Sequence, residues 1–371
     1  MPFRVLYDGW PLTYRPNGPA ALHLLTLLAY RPPEVEAHVA IPAALPFQLE
    51  SETTFHLELL ADNERARLKW EQRVLPGLSR RLDTRLLHLT GANAALLNPT
   101  STVISPTSQG MYPFSEQRPT HQPGLASRWR EAAGAVGSLR AHAVLWPADL
   151  PEPPLSIPLM GLSPAVHPAF NSQSPNLQAG LAGLELPEPY ILYHGPHTSQ
   201  DLSALLAAWS WAAGPIGGDC PLLLLGLEDA DRARLAALLS EYDLAGSVRA
   251  LPALPVGALA AVYQGCAVLF NPVDTSPWGS SIRRALSCGK PVVALQTALT
   301  DALVGPAAYL VSGSRADPAG SRALGAALIT VIVEESLSAA LSQAAIQRAA
   351  AWSGAAFSQQ LFAAYQKAAL V

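Results

Sequence analysis

The sequence predicts an α/β protein made of two doubly wound, parallel-sheet domains that face each other across a cleft. Three observations predict it. Short apolar runs of strand length alternate with amphipathic helical stretches through most of the chain, the pattern of parallel sheets covered by helices on both faces. The chain has 371 residues, more than one ordinary core accommodates. A stretch crowded with proline, Pro147 to Pro189, interrupts the alternation near its middle and reads as the passage between domains. In such folds ligands bind at the carboxyl ends of the strands.

Each element has its own signal. Phe3 to Tyr7 reads as a buried strand, Asn17-Gly18-Pro19 as a turn, and Ala20 to Tyr30 as a helix with an apolar face. His38 to Pro42 is strand-like. From Glu64 to Leu82 charges alternate with Leu68, Trp70, Val74, Leu75 and Leu78, which predicts an exposed amphipathic helix. Leu86 to Leu89 and Ser101 to Ser105 are strand-like, Leu125 to Val136 helical, and Ala143 to Trp146 a short strand. Ser156 to Met160 fits either the passage or a last strand of the first domain.

The second half repeats the logic. Tyr190 to His194 reads as a strand, Gly195 as a turn, and Leu202 to Trp211 as a helix. Strands are expected at Pro221 to Gly226 and Ser247 to Leu251, with helices at Asp229 to Glu241 and Val256 to Gln264. Ala267 to Asn271 (strand), Pro272 to Ser281 (loop), Ile282 to Cys288 (helix) and Val292 to Leu295 (strand) then form one unit. A parallel sheet builds a phosphate site from such a unit, with N–H groups at the loop and helix start aimed at an anion. Three alanine-rich segments follow and end in Phe357 to Val371.

Composition removes several function classes. Half the residues are hydrophobic and 14% are charged, which describes a buried globular chain. A net charge of -4 gives no footprint for nucleic acid. Cys220, Cys266 and Cys288 form no disulfide framework or zinc spacing, and the last two read as small core residues. MPFRVLYDGWPL lacks a signal core, and the longest uncharged apolar run, Ala323 to Val333, is too short to span a bilayer. A cytoplasmic location is expected. His88, His121 and His142 are scattered, and no Walker loop, Gly-x-Ser-x-Gly elbow or dinucleotide fingerprint is present, so no metal or cofactor is expected.

Several motifs carry a family resemblance. They are Arg67 to Gln72 with Leu75-Pro76, Leu86-Leu87-His88, Ile157-Pro158-Leu159 with Gly161 and Pro164, and Leu186 to Tyr193 with Gly195. Ala285-Leu286, Cys288-Gly289 and Pro291 to Ala294 continue the series, and Ala349 to Tyr365 closes it. In order and spacing the chain resembles the GT-B retaining glycosyltransferases of family four. The resemblance implies an acceptor-side domain over 1–165, a nucleotide-sugar-side domain over 166–355, and a C-terminal helix, 356–371, returning to the first domain. It also implies hexosyl transfer from a nucleotide sugar, with retention, to a glycan or lipid-linked acceptor, the nucleotide sugar being a co-substrate.

That family is implied to hold its donor with an Arg/Lys pair after the first strand of the second domain, two glutamates eight positions apart, and a first-domain histidine. The pair falls here on Ser199 and Gln200, the glutamates on Ser276 and Arg284, and the histidine-aspartate position on Pro106-Thr107. The early glycine turn keeps Gly18 but has Ala20 where a second glycine is expected. Donor and phosphate candidates are therefore Gly18, Gly195, His197, Ser199, Gln200, Ser276, Trp278, Gly279, Ser280, Ser281 and Arg284, with Asp274 as a substitute acid. Loss of one placed electrostatic donor costs roughly 10²–10³ in rate, so a catalytically silent relative serving as a binding or partner subunit is the competing expectation.

Individual residues keep two readings. Arg284 is a substitute phosphate cation or a solvated surface arginine. His197 supplies positive charge below neutral pH or is polar surface. Asp274 is an acid or a turn cap. Trp278 stacks on a base or sugar, or packs at the domain edge. The basic residues Arg65, Arg67, Lys69, Arg73, Arg80, Arg81 and Arg85 touch an anionic lipid surface or acceptor, giving peripheral membrane contact at the inner face, or form a solvated helix face.

Overall fold

The computed structural model describes residues 2–49, 52–91, 93–98, 100–107, 124–173, 184–227, 229–273, 275–314 and 317–370. The chain divides into two compact units, one of Met1–His167, Ser276–Gly279 and Ser353–Val371, the other of Pro168–Thr275 and Ser280–Trp352.

The first unit holds seven parallel strands: β1 (Phe3–Asp8), β2 (Val35–Ile41), β3 (Thr54–Leu57), β4 (Leu86–Leu89), β5 (Ser101–Ile104), β6 (Ala143–Pro147) and β7 (Leu159–Leu162). Their order is β3-β2-β1-β4-β5-β6-β7. The central strands read as nearly unbroken apolar runs because helices cover both faces. The strand order reverses between β1 and β4, which opens a crevice at their carboxyl ends. Leu159–Leu162 pairs with β6, so this part of the proline-rich stretch is the last strand of the sheet.

Besides the edge strand β3, two helical regions depart from expectation. Trp10–Tyr14 is a short helix with too few residues to show a period. The run from Glu64 is not an exposed helix. It consists of Glu64–Lys69, a π-turn over Trp70–Val74, and Leu75–Arg81. Arg67, Trp70 and Glu71 are buried in it. The reason is Asp8, fully buried at the end of β1, which accepts from Trp70 Nε1 at 2.8 Å and pairs with Arg67 Nη2 at 3.3 Å. Arg67 in turn bridges to Glu71 at 3.2 Å, and Glu71 to Arg130 at 3.0 Å. Buried charges persist only when paired in this way.

Helix Gly354–Ala368 belongs to the same unit and buries Phe357, Leu361, Tyr365 and Ala368 along one face. Ser353 caps it by accepting from the Ala356 N–H at 3.2 Å. The Tyr365 hydroxyl lies 3.1 Å from that of Tyr7 and 2.6 Å from His88 Nδ1, while His88 Nε2 lies 2.7 Å from Ser105 Oγ.

The second unit holds β8 (Ile191–Tyr193), β9 (Leu222–Leu224), β10 (Val248–Ala250), β11 (Val268–Asn271), β12 (Val292–Leu295) and β13 (Tyr309–Val311). They form a parallel sheet ordered β10-β9-β8-β11-β12-β13. The order reverses between β8 and β11, giving this unit its own crevice. The apolar run Ala323 to Val333 lies within helix Pro318–Val333, whose inner face buries Leu324, Ala327, Leu328 and Val331. No single helix among the described residues is long and apolar enough to cross a membrane.

Candidate functional site

Most of the sequence candidates in the second unit flank its crevice. β8 runs into His194 and Gly195, and β11 runs into the loop that leads to helix Ser281–Ser287. Gly195 sits tight against Tyr193, where a Cβ would meet the phenol ring at 2.8 Å. Thr198 then starts helix Ser199–Ile216, its hydroxyl accepting from the Asp201 N–H at 3.2 Å. Asp201, buried in the first turn, places a carboxylate at the positive helix end. Ser199 and Gln200 are exposed, so two neutral donors stand at this end of the crevice.

His197 does not supply positive charge near neutral pH. Burial lowers its pKa to about 4, against opposing pulls from Asp231 and Asp201. A cation that sequence reasoning missed lies beside it. Arg234, half-buried on helix Asp229–Glu241, donates to the His197 carbonyl at 3.4 Å and pairs with Asp231 at 2.8 Å. Its sequence signal is weak, since it is one of several charges on a mixed helix.

Arg284 is not a solvated surface arginine. It is 4% exposed. Its Nε donates to the Tyr263 hydroxyl at 3.2 Å, and its guanidinium carbon lies 5.4 Å from the Tyr263 ring and 5.8 Å from the Phe170 ring. His194 Nδ1 is 2.8 Å from the same hydroxyl and 3.5 Å from Arg284 Nη2. Burial pushes the Tyr263 phenol up to about 12, with Arg284 pulling the other way. Between the Tyr263 and Phe170 rings the guanidinium gains cation–π stabilisation. Arg283 is also buried, its guanidinium carbon 5.0 Å from the Trp352 ring.

The loop before this helix splits between the units. Thr275 and Ser280 share a hydrogen bond at 2.8 Å between their hydroxyls. Ser280 and Ser281 are buried. Ser276, Trp278 and Gly279 group with the first unit. Trp278 is 1% exposed and donates from Nε1 to the Leu145 carbonyl at 2.8 Å. Its ring stacks on His23 and meets the edge of Phe357 at 5.9 Å. Of its two readings, the structure gives Trp278 the packing one. Gly279 has φ +65, and a Cβ there would fall 2.0 Å from the Pro19 carbonyl oxygen. Gly18 caps helix Pro19–Ala29 with extended backbone. Asp274 and His121 lie outside the described residues.

The three cysteines are buried and unpaired. Burial raises the Cys266 thiol to about 12 and the Cys220 thiol to about 11, and lifts that of Cys288 as well. None has the electropositive, accessible setting of a reactive thiolate.

Two doubly wound parallel sheets, each with a strand-order reversal, define a GT-B architecture. The family model for glycosyl transferases group 1 matches residues 188–348, which covers the second sheet and the loops around its crevice. Several solved structures share this fold. Sucrose-phosphate synthase from Thermosynechococcus elongatus is 18% identical, with TM-score 0.69 over 98% of each chain. WaaG, a glycosyltransferase involved in lipopolysaccharide biosynthesis, is 13% identical, with TM-score 0.70 over 96% of this chain and 98% of that one. Anabaena Alr3699/HepE in complex with UDP-glucose is 14% identical, with TM-score 0.69 over 98% of this chain and 99% of that one. No curated protein matches the chain in sequence.

Proposed function

We propose that the protein is a nucleotide-sugar-dependent glycosyltransferase, moving a hexosyl group with retention through an altered donor site. One coincidence carries the reading. The family match spans residues 188–348, and within it the strand-order reversal between β8 and β11 is flanked by Gly195 to Gln200 and by the loop into Ser281–Ser287. HepE, similar in fold, was solved with UDP-glucose. In this chain the donor diphosphate rests at the amino end of helix Ser199–Ile216, on backbone N–H groups and the Ser199 hydroxyl. Arg234 supplies the nearby positive charge. The acceptor, a glycan or lipid-linked sugar, belongs to the first unit.

A second reading is a silent binding or partner subunit. Neutral Ser199 and Gln200, and Arg284 enclosed by Tyr263 and Phe170, favour it. A leaving diphosphate needs charge stabilisation that these groups do not supply.

Isothermal titration against nucleoside diphosphates and nucleotide sugars, paired with mass detection of released nucleoside diphosphate, separates the two. The enzyme reading expects binding and release, with affinity weakened about tenfold in Arg234→Ala. Binding without release supports the silent reading. A folded sample that binds none of the panel removes the donor site from both readings and leaves the partner subunit.

A further inference from the structure

The first unit carries a second concavity, at the opposite end of its sheet from the crevice. It has a volume of about 310 Å³ and lies at the amino ends of β5 and β6. Arg80, Arg140 and His142 line it, with Asn98 and Thr102. Among the described residues no carboxylate lines it. Neither arginine has a carboxylate partner among the described residues. We propose that this pocket binds a phosphoryl group.

The side chains are set for it. Arg140 Nη1 donates to the Leu96 carbonyl at 2.6 Å, which tethers the guanidinium at the rim with N–H groups to spare. His142 Nδ1 accepts from the Thr102 N–H at 3.1 Å. That bond puts the ring proton on Nε2 and makes that nitrogen a donor. The wall is close-packed: a Cβ on Gly137 would fall 2.1 Å from the Ala94 carbonyl oxygen, so only glycine lets the helix meet the loop there. Two guanidinium groups and an imidazole donor around one concavity match the three acceptor oxygens of a phosphoryl group.

The phosphoryl group belongs either to a soluble phosphorylated compound or to a lipid headgroup. Leu97, 81% exposed, lines the same pocket, which makes the lipid source worth a separate arm.

The test uses the full chain with histidine-labelled NMR, His142 being assigned through His142→Gln. Inorganic phosphate is expected to shift the His142 ring resonances saturably, at constant ionic strength set with chloride. Arg80→Ala/Arg140→Ala is expected to weaken half-saturation about tenfold or more, while Arg128→Ala, outside the pocket, leaves it unchanged. Saturating UDP is expected to leave the phosphate response intact. A response abolished by UDP would place the anion at the donor crevice and overturn the proposal. So would no saturable shift in a folded sample, or one that the double variant retains. Flotation with phosphatidylglycerol and phosphatidylcholine vesicles then assigns the source. Capture by the anionic vesicles that the double variant loses identifies a headgroup, and phosphate binding without capture identifies a soluble ligand.

Discussion

The indole of Trp278 lies nearly face to face with the imidazole of His23, their centroids 4.7 Å apart and their planes 23° from parallel. Burial holds His23 well below its ordinary pKa, so the stack joins a tryptophan to a neutral ring. Trp278→Ala is expected to destabilise the first unit by about 3–5 kcal/mol, the cost of emptying a large aromatic site. Trp278→Phe should recover most of this and lose about 1 kcal/mol with the bond to the Leu145 carbonyl. Urea unfolding followed by far-UV circular dichroism measures both. Wild-type stability in Trp278→Ala would mean that the ring contributes nothing to this core.

Gly279, one residue on, answers a backbone demand. Its φ of +65 is left-handed, and any Cβ there meets the Pro19 carbonyl oxygen at 2.0 Å. The conformation alone costs an L-residue about 1–2 kcal/mol, and the clash adds to it. Gly279→Ala should therefore destabilise by more than about 2 kcal/mol. Gly257→Ala, at an exposed helical site with nothing within 4 Å, should stabilise by about 0.5–1 kcal/mol. Thermal melts of the two variants moving the same way would defeat the argument.

The fold is legible in the sequence where strands are buried on both faces. Leu86–Leu89 and Val292–Leu295 match their expected bounds residue for residue, because such strands carry nearly unbroken apolar runs, interrupted here only by the buried His88. Thr54–Leu57 is not legible, since an edge strand with exposed ends leaves no run to read. Around the second crevice, the neutral residues Ser199 and Gln200 and the charge of Arg284 are plain in the sequence. The burial of Arg284 is not, because Tyr263 and His194 lie 21 and 90 residues away. Asp8 closes an apolar strand with a charge. That signal points to a paired buried carboxylate, but only the fold brings Arg67 and Trp70 to it.

Acid should unfold the protein earlier than carboxylate titration alone would. Burial lowers His88 to about 3, and His167 and His197 to about 4, against about 6.5 when unfolded. Between these values the unfolded chain binds protons that the folded chain refuses, so stability falls as pH drops below about 6.5. Each histidine adds a slope of up to about 1.4 kcal/mol per pH unit, discounted for His167 and His197, which burial shields less completely than His88. Above the unfolded pKa the contribution is complete and flat. Denaturant midpoints from pH 8 to pH 4 measure it, and His88→Gln should make the acid limb shallower. A flat profile between pH 7 and 5 would contradict neutral burial.

The role of Arg284 can be tested directly. Arg284 lies against Tyr263 and Phe170, with its Nε bonded to the Tyr263 hydroxyl. Arg284→Met fills the space but leaves that hydroxyl without its donor, which should cost about 1–3 kcal/mol. Arg284→Lys keeps the charge and loses the planar fork and its ring contacts, so it should rescue little of the loss. With the donor at the proposed Gly195 to Gln200 loop beside Arg234, nucleotide affinity should change by less than about threefold in either variant. Arg234→Ala should do the opposite, lowering affinity with little change in stability. If Arg284→Lys instead melts like the wild type while Arg284→Met binds nucleotide at least tenfold more weakly, Arg284 acts as a phosphate cation. Its enclosure by Tyr263 and Phe170 would then be a resting position that the donor opens.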